Sequence, residues 1–145
     1  MDYAYFDTSA LIKRYVEELG RREVLERLRK SRCVISAILP VEVRSALRRR
    51  VADRTLDAKR LPTILKRFAA DRPYWTVIDV SSDVLAGAEA LSGAHPLRAL
   101  DSIHVASAKL FGDRTAAEAF TFVSADAHQT GVAEALGLKT QFVGS

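Results

Sequence analysis

A single cysteine, Cys33, stands in a chain of 145 residues, so no internal disulfide can form and no thiolate cage for a metal can be built. Apolar runs are short, and none approaches the roughly 20 residues that a membrane-spanning helix needs. No charged-then-apolar leader opens the chain, so a cytoplasmic protein without a membrane role is expected. Seven glycines and four prolines are too scattered to make a linker, and no repeat or low-complexity stretch divides the chain. The composition, 48% hydrophobic and 28% charged, excludes wholesale disorder. One domain covering residues 1–145 is expected.

Positive charge is in modest excess: 22 Lys and Arg against 18 Asp and Glu give +4. Most of it is arginine, concentrated over residues 21–32 and 44–54, with the run Arg48-Arg49-Arg50. Arginine pairs bidentately with phosphate, so this pattern suits a nucleic-acid partner. It equally suits the solvated faces of two helices.

Strand and helix signals alternate along the chain. Short apolar, aromatic or β-branched runs predict strands at 3–6, 33–35, 75–80, 120–123 and 140–143. Asp7, Thr8 and Ser9 favour a helix start, and a helical segment from Ala10 is expected to break near Gly20. Further helices are predicted over 21–30, 41–54, 56–70 with a kink or break at Pro62, and 82–91 opened by Ser81. After a loop at 92–96, a helix begins at Asp101, and a last one runs from Asp126 to Leu136 with Gly137 as its cap. Such alternation specifies an α/β architecture, a mainly parallel sheet with helices on both faces.

In such sheets ligands bind beyond the carboxyl ends of the strands. Asp7 follows the first strand and Asp126 the fourth, while Glu42 and Asp101 lie near helix starts. Each acid alone has a structural explanation as a helix cap or a first-turn dipole partner. Four at one sheet edge repel one another unless a cation joins them. Oxygen ligands without cysteine or paired histidines point to Mg²⁺ or Mn²⁺. That equipment activates a water for phosphodiester cleavage and requires no nucleophilic side chain.

The motifs carrying these acids resemble those of PIN domains, especially the VapC-type toxins of bacterial toxin–antitoxin pairs. Tyr5-Phe6-Asp7-Thr8-Ser9-Ala10-Leu11 is similar to the first motif and Val41-Glu42-Val43 to the second. Leu100-Asp101-Ser102-Ile103-His104-Val105-Ala106-Ser107-Ala108 is similar to the third, and Phe122-Val123-Ser124-Ala125-Asp126 to the fourth. Pro40, just before Glu42, departs from the family pattern and bears on where that helix starts. The resemblance implies a three-layer α/β/α PIN-like fold and metal-dependent endoribonuclease activity. It implies that Asp7, Glu42, Asp101 and Asp126 bind Mg²⁺ or Mn²⁺, with Thr8, Ser9 and Ser124 as supporting hydrogen-bond partners. It also implies a homodimer, an RNA substrate and a small antitoxin covering the active site.

The remaining polar and aromatic residues read more plainly. His104, one turn past Asp101, reads as packing, and His128 as a bystander near Asp126. His95 has no motif around it. Trp75 and Tyr74 read as core or interface, and Lys13 and Arg14 as solvated cations within reach of substrate phosphate. Competing functions are an RNA-processing PIN nuclease without an antitoxin and a non-catalytic RNA- or protein-binding domain. A phosphatase using Asp7 as nucleophile would want a second Asp two residues on, where Ser9 stands.

Overall fold

The computed structural model describes residues 2–115 and 119–144. Five strands, β1 (Asp2–Phe6), β2 (Ser31–Ser36), β3 (Thr76–Ile78), β4 (Phe120–Ser124) and β5 (Lys139–Phe142), form one sheet in the order β3-β2-β1-β4-β5. All four pairings are parallel. Parallel strands need crossovers, and seven α-helices among the described residues accompany them: α1 (Thr8–Leu11), α2 (Arg21–Lys30), α3 (Leu39–Ala52), α4 (Leu61–Asp71), α5 (Ser82–Ala94), α6 (Ala99–Arg114) and α7 (Ala127–Ala135).

The side-chain alternation of β1 divides the core in two. Ala4 and Phe6 point to one face, where they meet Leu11, Val24, Leu47 and Phe68 from α1 to α4. Tyr5 points to the other, where it meets Val84, Val105 and Val132 from α5 to α7. The result is three layers, α/β/α. Because both faces of β1 are covered, its run Ala4-Tyr5-Phe6 is fully buried, which is why it reads as continuously apolar.

Several element boundaries differ from the sequence expectation. The first helix is a single α turn, α1, followed by a 3-10 turn at Ile12–Arg14, and does not extend towards Gly20. Tyr15 and Val16 leave the helical path to enter the core, and Gly20 then takes a left-handed φ of 92° before α2. Pro62 neither kinks nor breaks a helix but sits in the first turn of α4, where its missing N–H is harmless. Pro40 does the same in α3, starting that helix at Leu39. Among the described residues β3 is an edge strand paired to β2 alone; it ends at Ile78, where β2 also ends at Ser36. α5 continues through residues 92–94, expected as loop, aided by Ser92 Oγ donating to Ser102 Oγ at 2.8 Å. α6 begins at Ala99, so Asp101 lies inside the first turn and is not the cap.

Candidate active site

Parallel pairing places the carboxyl ends of β1 and β4 side by side, with Phe6 opposite Val123. The chain leaves both strands at the same edge, and Asp7 N–H donates back to the Val123 carbonyl at 3.2 Å. α3 and α6 bring their first turns to this edge. As a result, Asp7, Glu42, Asp101 and Asp126 all line one cavity of about 690 Å³, together with Thr8, Ser9, His104 and Gln129. Arg49, Arg50 and Arg98 line it as well. A larger cavity of about 880 Å³ lies between α2 and Trp75, but its acids are only Glu17 and Asp71, already bonded to Arg21 and Arg14.

Asp7 is buried and held rigidly. Its Oδ1 accepts from Ser9 Oγ at 2.7 Å and from Ala10 N–H at 2.9 Å, while Oδ2 accepts from Ser124 Oγ at 2.5 Å. A carboxylate offers roughly four acceptor positions, so about one is left to face the cavity. Ser9 also accepts from Ala125 N–H at 2.9 Å, tying the two strand ends together. Thr8, Ser9 and Ser124 are therefore all engaged at the site as hydrogen-bond partners: Thr8 with Glu42, the two serines with Asp7. Burial pushes the Asp7 carboxyl up, against the pull of His104 and these hydrogen bonds.

The other acids keep more freedom. Asp126 caps α7 through Oδ1, which accepts from the His128 and Gln129 N–H groups. Asp101 Oδ1 accepts from Gln129 Nε2 at 3.1 Å, and its Oδ2 lies 3.8 Å from the Arg98 guanidinium. Burial raises the Asp101 carboxyl, and the like charges of Asp126 and Glu42 raise it further against Arg98 and His104. Glu42 moves the other way: burial would raise it, but hydrogen bonds from His104 and Thr8 outweigh that. The acids do compete for charge at this edge.

Capping and site membership thus coexist in Asp7 and Asp126, since one oxygen serves the helix. Among the described residues no group of three or more His, Cys, Asp or Glu side chains is set as a ready metal cage. The donor chemistry, four oxygen-bearing acids without sulfur, nevertheless fits a hard divalent cation.

Four residues have roles that the sequence alone does not predict. His104 is not mere packing, because its Nε2 lies 2.6 Å from Glu42 Oε1. Gln129 joins Asp101 to the start of α7, and its spacing of three residues from Asp126 is the one sign of this in the sequence. Lys13 and Arg14 are not solvated phosphate contacts. Lys13 is buried with its Nζ 3.6 Å from Glu18, and Arg14 is bonded to Asp71 at 2.8 Å.

No curated protein matches the chain. Among solved structures, a toxin–antitoxin complex from Klebsiella pneumoniae is similar in fold, with a TM-score of 0.65 at 20% identity. The likeness covers 89% of this chain and 92% of that one. The family model for the PIN domain matches residues 4–138, a span containing all four acids of the cavity. The chain belongs to the PIN-domain family.

Proposed function

We propose that this chain, acting as one domain over residues 1–145, is a Mg²⁺- or Mn²⁺-dependent endoribonuclease that hydrolyses RNA phosphodiester bonds. We propose further that it is the toxin of a toxin–antitoxin pair, a cytoplasmic homodimer restrained by a small antitoxin protein. The observation that carries the catalytic reading is the convergence of Asp7, Glu42, Asp101 and Asp126 on one cavity at the strand ends. PIN domains are generally nucleases, and the likeness to a toxin–antitoxin complex supports the toxin role.

Asp7, Glu42, Asp101 and Asp126 would hold the cation. When bound, it supplies a water activated for attack and neutralises charge on the attacking and leaving oxygens. The chain's own part is to orient and to neutralise. Asp7 is the fixed point, with its three hydrogen bonds setting the direction of its remaining acceptor position. Arg49 and Arg98, lining the same cavity, suit the phosphates flanking the scissile bond. The hydroxyls of Thr8 and Ser9 are already spent on Glu42 and Asp7, which argues against either as a nucleophile.

The purified protein should cleave RNA in Mg²⁺ or Mn²⁺, lose that activity in excess chelator and regain it on metal addition. Cleavage persisting in chelator would overturn the mechanism. Expression alone should arrest growth, and a small neighbouring gene should relieve the arrest and co-purify. Toxicity unchanged by that gene, with no co-purification, would favour an RNA-processing nuclease.

A further inference from the structure

A chain of hydrogen bonds runs from the core into the cavity through His104. This side chain sits on α6, is 1% exposed, and has both ring nitrogens engaged. Nε2 lies 2.6 Å from Glu42 Oε1, and Nδ1 lies 2.7 Å from the Tyr5 hydroxyl. A carboxylate only accepts, so the proton in the first contact belongs to Nε2. Thr8 Oγ1 donates to the same Glu42 Oε1 at 2.7 Å. Both donors therefore meet one oxygen of Glu42, whose side chain lines the cavity, and no donor among the described residues meets Oε2.

The far end of the chain is equally fixed. Tyr5 is fully buried on β1, its ring stacked on Phe122 with centroids 5.6 Å apart and planes inclined by 10°. The His104 ring meets it edge-on, at 5.9 Å and 73°. Turning the imidazole over would exchange ring nitrogens for carbons at both contacts. Tyr5 precedes Asp7 by two residues on the same segment, and His104 follows Asp101 by one turn of α6. One imidazole thus links the three elements that carry Asp7, Glu42 and Asp101.

We infer that His104 is a positioning residue that fixes Glu42 with one carboxylate oxygen turned into the cavity, while the Tyr5 hydroxyl fixes His104. This rests on the proposed role of Glu42 as an acid that holds the cation. Carboxylate ligands are commonly oriented by such outer hydrogen bonds, and removing one typically weakens metal binding about 10- to 100-fold.

The test uses the full chain as wild type, His104→Leu, His104→Gln, Tyr5→Phe, Glu42→Gln and the double variant His104→Leu/Glu42→Gln. Mn²⁺ binding to RNA-free protein is measured by calorimetry, and the Glu42 rotamer is read from crystal structures. His104→Leu should weaken Mn²⁺ binding about 10- to 100-fold with Glu42 swung from its place. His104→Gln, which keeps an N–H donor, should recover part of the loss, and Tyr5→Phe should show a smaller loss of the same sign. On RNA, kcat should fall more than KM rises. In the Glu42→Gln background, removing His104 should add little, because the two act through one contact. Wild-type Mn²⁺ affinity in folded His104→Leu, or an equal loss in both backgrounds, would overturn the inference. If His104→Leu does not fold, the Gln and Phe variants decide it by the same measures. Should wild type bind no Mn²⁺, the metal-dependent reading fails separately, and the rotamers alone decide: a displaced Glu42 upholds positioning, an unmoved one ends it.

Discussion

Asp7 shows how one buried side chain serves structure and chemistry at once. Its three hydrogen bonds come from Ser9, Ser124 and the Ala10 amide, and burial holds its carboxyl above the ordinary range near 3.9. A carboxyl that protonates more readily folded than unfolded contributes most below its unfolded pKa, and that contribution drains away as pH rises through the folded value. Asp7→Asn removes the charge while keeping an acceptor, so the metal-free variant should melt higher than wild type at neutral pH. The gap should close towards pH 4, and the rise in melting temperature expected from Mg²⁺ in wild type should shrink in the variant. Asp7→Ala instead strands two hydroxyls and an amide, and should cost about 1–3 kcal/mol. Both variants should be inactive on RNA. Thermal melts across pH, with and without Mg²⁺, check the whole set.

Among the elements, the strands were the most legible in the sequence, because burial on both faces writes itself as an unbroken apolar run. The four acids were legible too, each marked by its position after a strand or near a helix start. What the sequence hid was contact across the fold. His104 reads as packing because nothing near it in sequence shows that Glu42, on another helix, supplies an acceptor. Arg14 reads as a solvated cation because Asp71 lies at the far end of α4. The Arg14–Asp71–Tyr15 cluster ties the first turns of the chain to that helix, with Arg14 Nε 2.8 Å and Tyr15 Oη 2.5 Å from Asp71 Oδ2. Partial burial would raise the Asp71 carboxyl, but these bonds outweigh it and hold the carboxyl below its usual range. A depressed carboxyl contributes stability above the unfolded value near 3.9 and loses it as pH falls through the folded one. Asp71→Asn should therefore be less stable than wild type at pH 7, with the difference shrinking below about pH 4. Urea unfolding at stepped pH measures it, and a constant difference down to pH 2 would remove the ionic contribution.

Over the whole molecule, charge is divided rather than spread. The chain carries +4 overall, yet Asp7, Glu42, Asp101 and Asp126 line one cavity, which Arg49, Arg50 and Arg98 line as well. RNA binding should therefore weaken with salt, each phosphate contact contributing about −0.7 to the logarithmic slope for a single strand. Arg49 lines the acidic cavity, so Arg49→Ala should lower that slope by about 0.7, whatever the RNA sequence. Titrations at several salt concentrations, with chelator present to prevent cleavage, would show it. The sheet order adds a matter of timing. Among the described strands β1 comes first in sequence, yet its neighbour β4 is the fourth, and Ser124, which clasps Asp7, comes with it. A chain emerging from the ribosome carries Asp7 and Glu42 well before Ser124, Asp126 and the β4 neighbour of β1. If the chain cleaves RNA as proposed, a nascent chain that has not reached β4 should spare the messenger that encodes it, because the four acids meet only when the strand beside β1 arrives.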